Sequence, residues 1–156
     1  MLPRGPCCRV ASSSGGPGEE YLDTPDFDAA VRWVEAHGKA NYLWSKQAVC
    51  AYVARQAMSL LKRGIRINAI CPGPTDTPLA RANKETWLRF GADYRAEVGT
   101  EPATALEQAY PLVFLCSDAA SAITGTTVIS DAGYFASAIT ESFPAATRIA
   151  NLLLGR

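Results

Sequence analysis

Two side chains of complementary acid–base character stand four residues apart in "YLWSK", where Tyr42 is followed by Lys46. On a helix, positions i and i+4 share a face, with Cβ atoms about 5–6 Å apart. A phenol has a reference pKa of about 10, too high for a good base at neutral pH. A cation held beside a phenol favours the phenolate and brings such a group into the range of general acid–base work. The plainer alternative is a packed tyrosine and a solvated lysine, and the pair alone does not choose between the two.

The other chemistry-bearing residues are weaker candidates. "RVASSSGG" presents Ser12, Ser13 and Ser14 at the end of a short β-like run, with a plain Ser/Gly loop as the alternative. Thr77 precedes "PLARAN", where a helix N-cap is the local reading. His37, the one histidine, precedes Gly38 at a helix end and reads as a cap residue rather than a base. Asp23, Asp26 and Asp28 lack the central glycine and terminal glutamate of a calcium loop. No G-x-S-x-G occurs, so a serine hydrolase is unsupported. Lys62, Arg63 and Arg66 read as a helix terminus rather than a phosphate site. The five cysteines lack metal-ligand spacing and read as reduced thiols of a cytoplasmic protein, and no metal site is expected.

Charge and length bound the class. The chain has 156 residues, with 15 Lys plus Arg against 15 Asp plus Glu. That balance recruits neither nucleic acid nor an anionic membrane. No apolar run approaches the roughly 18 residues that a membrane helix needs.

Several elements must position these groups. "DFDAAVRWVEAHG" predicts a short amphipathic helix stopping at Gly38, and the segment from Ala40 to Lys62, free of Gly and Pro, predicts a long one ended by Gly64. The run up to Glu20 reads as a Ser/Gly/Pro loop. "GIRINAIC" alternates as a strand and enters "PGPTDTP", whose three prolines argue against regular structure. Residues 83–97 read as one surface helix with Trp87, Leu88 and Tyr94 as its apolar contribution. "TALEQAYPLVFLCSDAAS" reads as a helix kinked or broken at Pro111, and "GTTVISDAG" as a last strand. The remainder is a tail that docks as a short helix. This alternation predicts an α/β fold with a parallel sheet.

These motifs together resemble the short-chain dehydrogenase/reductase family. Its Tyr-x-x-x-Lys often reads Y-x-x-S-K, as here with Ser45. "GIRINAICPGPTDTPL" is similar to the family's strand and P-G loop, and "LCSDAASAITGTTVISDAG" to its closing S-x-x-x-x-x-x-T-G and D-G-G segments. The insertion before the tyrosine and "PGPTDTPL" look most like the bacterial 3α-hydroxysteroid and coniferyl-alcohol dehydrogenase branch. The resemblance implies a Rossmann-like sheet and hydride transfer between a nicotinamide and a secondary alcohol or carbonyl. By resemblance, Tyr42 exchanges the proton with the substrate oxygen, while Lys46 favours the phenolate and binds the nicotinamide ribose. Ser12 orients that oxygen, with Ser13 or Ser14 as one-residue shifts. The Pro72-Gly73 turn, the Thr75 backbone and the Thr77 hydroxyl meet the nicotinamide end. NAD is the implied cofactor, with NADP the alternative. The implied substrate is a small hydrophobic alcohol or ketone, steroid-like or aryl-propenyl, and the implied assembly a homodimer or homotetramer.

The chain also departs from the family. It has no T-G-x-x-x-G-x-G turn, no N-N-A-G segment, and no upstream residue to choose between the cofactor's 2′-hydroxyl and 2′-phosphate. It therefore reads as one domain over 1–156 whose N-terminal cofactor-binding half is missing, with a family-like core over 8–134 and a tail over 135–156. "MLPRGPCC" reads as an accidental start inside a longer frame. Ala132, where the family usually has glycine, reads as a mild change. The rival expectation is a non-catalytic fragment or pseudoenzyme that folds by association with a partner chain.

Overall fold

Pro17 opens the first helix, where its missing N–H costs nothing, and Glu19 and Glu20 face the positive end of the helix dipole. The computed structural model describes residues 16–147 and residue 151. These form two compact units, one of residues 16–67 with 124–126, the other of the remaining described residues.

The first unit consists of α1 (Pro17–Leu22), α2 (Phe27–Ala36) and α3 (Tyr42–Leu61). α1 corrects the expected loop through Glu20: a proline at the first helical position starts a helix rather than breaking one. Asp26 caps α2 by accepting from the Ala29 N–H at 2.7 Å. Beyond the end of α3, Gly64 takes a φ of 73° that suits glycine, and the Ile65 N–H donates back to the Leu60 carbonyl. The core is aromatic and small: Trp33 stacks on Trp44 at 5.5 Å, Tyr21 packs edge-on to Trp44, and Ala48, Ala51 and Val53 are buried. His37 holds the helix end as expected. Its ring stacks on Trp33 at 4.1 Å and its Nδ1–H donates to the Trp33 carbonyl.

The second unit is α/β. β1 (Ala69–Pro72) pairs in parallel with β4 (Thr127–Ser130), from Ala69↔Thr127 to Pro72↔Ser130. Upstream of the ladder the side chain of Asn68 takes over, its Nδ2 donating to the Ile123 carbonyl at 2.9 Å. α7 (Ala105–Cys116) packs on β1, burying Gln108 and Leu115. Its N-terminus is a capping box: Thr104 Oγ1 accepts from the Glu107 N–H, and the Glu107 carboxylate accepts from the Thr104 N–H. The helix runs through Pro111 and is not broken there.

Two expectations fail in this unit. "PGPTDTP" is not wholly irregular, because Thr75–Asp76 forms β2, paired in parallel with β3 (Ala103–Thr104). Residues 83–97 do not form one helix. They divide among the end of α4 (Pro78–Ala82), α5 (Lys84–Trp87) and α6 (Ala92–Val98). The break falls at Gly91, whose φ of 64° leaves the helical region. Tyr94 is not surface-facing either: it is buried beside Tyr134 and Phe143, and its hydroxyl donates to the Ala132 carbonyl at 3.0 Å. The segment after β4 docks as α8 (Tyr134–Ile139), with Phe143 packed against buried Ala138 and Ala146.

Ala132 stands at φ 55°, the left-handed region where a Cβ is strained. Replacing it with glycine removes a cost of about 1–2 kcal/mol. It adds about 0.5–1 kcal/mol of unfolded-state entropy. Ala132→Gly is therefore expected to stabilise the fold by some tenths of a kcal/mol, up to about 1. Urea denaturation measures it, and a clear loss of stability would contradict the strain argument.

Candidate active site

Asn41 sets the frame for the first pair of candidate residues. Its Oδ1 accepts from the Trp44 N–H at 2.9 Å, which fixes the start of α3 and makes Tyr42 its first residue. Trp44, Ala48 and Ala51 form the buried stripe, so Tyr42 and Lys46 lie on the opposite side of the helix, both exposed. The Lys46 ammonium lies 5.0 Å from the Tyr42 ring centroid. Ser45 Oγ donates to the Tyr42 carbonyl at 2.7 Å and steadies the first turn. The structure thus brings Tyr42 and Lys46 together as the spacing expects, with the phenol at the positive end of a twenty-residue helix.

The second group lies in the other unit, at the carboxyl end of β1. The Gly73 N–H donates to the Ser130 carbonyl at 2.9 Å. A Cβ on Gly73 would meet the Asp131 Cα and Cβ at 2.9 Å, so this position accepts only glycine without rearrangement. Thr75 Oγ1 donates to the Gly73 carbonyl, and the Pro74 carbonyl accepts from the Ala103 N–H. Thr77 caps α4 by accepting from the Ala80 N–H at 3.1 Å, as its place before "PLARAN" expects. The neighbouring Asp76 is chelated by Arg81 at 2.6 and 2.7 Å, and these hydrogen bonds hold its carboxyl below the usual carboxylate range. Pro72, Gly73, Thr75 and Thr77 therefore form one braced turn. Ser12, with Ser13 and Ser14, lies outside the described residues, as does the expected strand over 8–12.

Sequence reasoning missed the brace. Nothing in "PGPTDTP" announces a pairing with residues 103–104, although the Asp76…Arg81 spacing was a usable signal for the ion pair. It also missed Gln108, buried on α7 and donating from Nε2 to the Ser130 carbonyl. A polar residue on the inner stripe of a helix was the available sign.

Parallel strands whose carboxyl ends open into hydrogen-bonded loops define a Rossmann-like α/β class. The comparisons place the chain within it. Residues 25–135 match the family model described as enoyl-(acyl carrier protein) reductase. General stress protein 39 of Bacillus subtilis (strain 168) is 38% identical over 97 residues, covering 61% of this chain and 33% of that protein. Dehydrogenase/reductase SDR family member 6 of Danio rerio is 40% identical over 98 residues, covering 60% of this chain and 40% of its own. The 3-alpha-hydroxysteroid dehydrogenase of Pseudomonas sp. B-0831, solved with NADH, superposes with a TM-score of 0.55 at 26% identity, over 81% of this chain and 54% of that one. The chain belongs to the short-chain dehydrogenase/reductase family. It spans about a third to two-fifths of the length of these curated relatives.

Proposed function

We propose that the chain carries the proton-transfer and substrate-side part of a nicotinamide-dependent dehydrogenase/reductase acting on a hydrophobic alcohol or ketone. The observation that carries this reading is the Tyr42–Lys46 pair, ammonium beside phenol on the exposed face of α3. A bound nicotinamide would supply or accept the hydride. Tyr42 gives a proton to, or takes one from, the substrate oxygen, and Lys46 stabilises its anion and binds the ribose. Ser12 orients the same oxygen. Around the Pro72-Gly73 turn, the Thr77 hydroxyl accepts from Ala80 and keeps its own proton to donate, and the Thr75 backbone supplies a carboxamide partner. This donor set fits the nicotinamide end of the cofactor. NAD is the proposed form, supported by the branch resemblance and by the NADH in the Pseudomonas neighbour.

A hydrophobic substrate is supported by residues 78–98, where Leu79, Trp87 and Phe90 remain exposed after the helices have packed. The hydroxysteroid activity of the Pseudomonas relative points the same way. An active form carrying this segment is expected to prefer hydroxysteroids or aryl-propenyl alcohols to small charged hydroxy acids, measured by reduced-nicotinamide absorbance across a panel. Preference for the acids would refute the reading.

Self-association is part of the proposal. α7 exposes Leu106, Tyr110, Val113 and Phe114, and α3 exposes Val49, Tyr52 and Met58, apolar faces that suit a homodimer or homotetramer. Cys50, Cys71 and Cys116 are not joined in a disulfide, which suits the cytoplasm. Because the sequence contains no glycine turn to donate backbone N–H groups to a pyrophosphate, this 156-residue chain is expected to bind NAD and NADP weakly or not at all. Isothermal titration with light scattering tests both points. Micromolar binding by a stable monomer would overturn them.

A further inference from the structure

Pro72 stands opposite Ser130 at the end of the β1–β4 ladder and has no N–H to give. Gly73 supplies the bond instead, its N–H donating to the Ser130 carbonyl at 2.9 Å. This backbone contact ties the Pro72-Gly73 turn to the carboxyl end of β4. The residues after Ser130 have little freedom of their own. Asp131 accepts from the Gly133 and Phe135 N–H groups, and the Ala132 carbonyl accepts from the hydroxyl of buried Tyr94. Asp131 also fills the space that a Cβ on Gly73 would need, so the turn and the end of β4 can shift only together.

The Ser130 carbonyl has two lone pairs. Gly73 uses one, and Gln108 of α7 reaches the same oxygen with its Nε2–H at 3.0 Å. Gln108 makes that bond at an energetic disadvantage. It is 8% exposed, and its buried Oε1 has no hydrogen-bond donor. Turning the amide over would set oxygen against the Ser130 carbonyl, so the orphan accompanies the only orientation that keeps the bond. A buried acceptor without a donor weighs against folding more than one neutral hydrogen bond favours it. An apolar side chain of the same length would leave nothing unmatched here, because the Ser130 carbonyl would keep the Gly73 N–H. Stability alone therefore does not account for a glutamine at this position. The direction in which it holds the Ser130 carbonyl does.

We propose that Gln108 is a positioning residue for the Pro72-Gly73 turn. Through the Ser130 carbonyl it fixes the Gly73 N–H, and with it the segment from Pro72 to Thr77, in the geometry that meets the nicotinamide end of the cofactor, and it lowers the stability of the fold in doing so. The link to the cofactor rests on the function proposed above, whereas the hold on the turn does not.

Gln108→Met separates positioning from stability, because it keeps the length and helix preference of the side chain while removing both the bond and the orphan. In the purified 156-residue chain the Gly73 amide is expected to exchange with solvent about threefold or more faster than in the parent. The urea midpoint is expected to stay level or rise. Leu115→Ala, a cavity on the buried side of the same helix, is expected to behave differently: the midpoint falls and the protected amides of the second unit quicken alike. In an active form containing this chain, Gln108→Met is expected to raise KM for the nicotinamide about threefold or more and to leave kcat within about twofold, the pattern of weakened binding rather than weakened chemistry. Unchanged Gly73 exchange, a fall in the urea midpoint like that of Leu115→Ala, or an unchanged KM would each overturn the proposal. The exchange measurement needs no cofactor, so it can fail while the role of Tyr42 stands. Conversely, turnover retained in Tyr42→Phe would strike the hydride-transfer reading and leave the Gly73 exchange result untouched.

Discussion

Tyr42→Phe is expected to lower turnover by about 10²–10⁴ in an active form containing this chain, because a positioned acid–base group supplies about that much. The substitution removes one hydroxyl from an exposed ring and leaves intact what sets the helix in place. The Asn41 cap, the Ser45 bond to the Tyr42 carbonyl and the buried stripe of Trp44, Ala48 and Ala51 do not involve the phenol oxygen. Phenylalanine also keeps a ring for the Lys46 ammonium. The fold should therefore be retained while kcat collapses. Steady-state kinetics alongside thermal denaturation separate the two effects, and turnover within a few-fold of the parent would remove Tyr42 from the mechanism.

Gly125→Val is expected to cause the largest loss of stability, about 2–6 kcal/mol from two sources. Gly125 stands at φ 72°, and a Cβ there would lie 2.6 Å from the Ala57 Cβ of α3. The backbone strain costs about 1–3 kcal/mol and is worst for a β-branched residue. The overlap forces α3 to shift, at a typical overpacking cost of about 1–3 kcal/mol. Against a net stability of about 5–15 kcal/mol this approaches unfolding. Gly64→Ala separates the terms, because Gly64 shares the positive φ, 73°, but a Cβ there meets nothing within 4 Å. In urea denaturation Gly125→Ala should cost clearly more than Gly64→Ala. Equal losses would show that contact with Ala57 is relieved without cost.

The local elements were legible because their causes lie within a few residues of one another. Asn41 ahead of Tyr42, the four-residue step to Lys46 and Gly64 after the last turn fix α3 and the face its candidate pair shares, and helical periodicity needs no distant partner. The same holds for Thr77 before α4. What failed was decided at a distance. Thr75–Asp76 is a strand because Ala103–Thr104, far along the chain, supplies its hydrogen bonds, and three prolines nearby conceal that possibility. Pro111 stays inside α7, a helix packed on β1 and held by the Thr104 capping box, where proline's local preference foretold a kink or break. Tyr94 is buried because Ala132, Tyr134 and Phe143 arrive from the far end of the chain.

Motif order carried the family, the pair on α3 and the braced turn as candidates, since chemistry of that kind is written in residue type and spacing. Only the tertiary structure decided which acceptors are left without donors. The Gln108 Nε2 bond to the Ser130 carbonyl, and the Oε1 left without a donor beside it, arise only when α7 and the end of β4 close on one another. Hydrogen-bond satisfaction is a property of that assembled set, and no single stretch of sequence contains it.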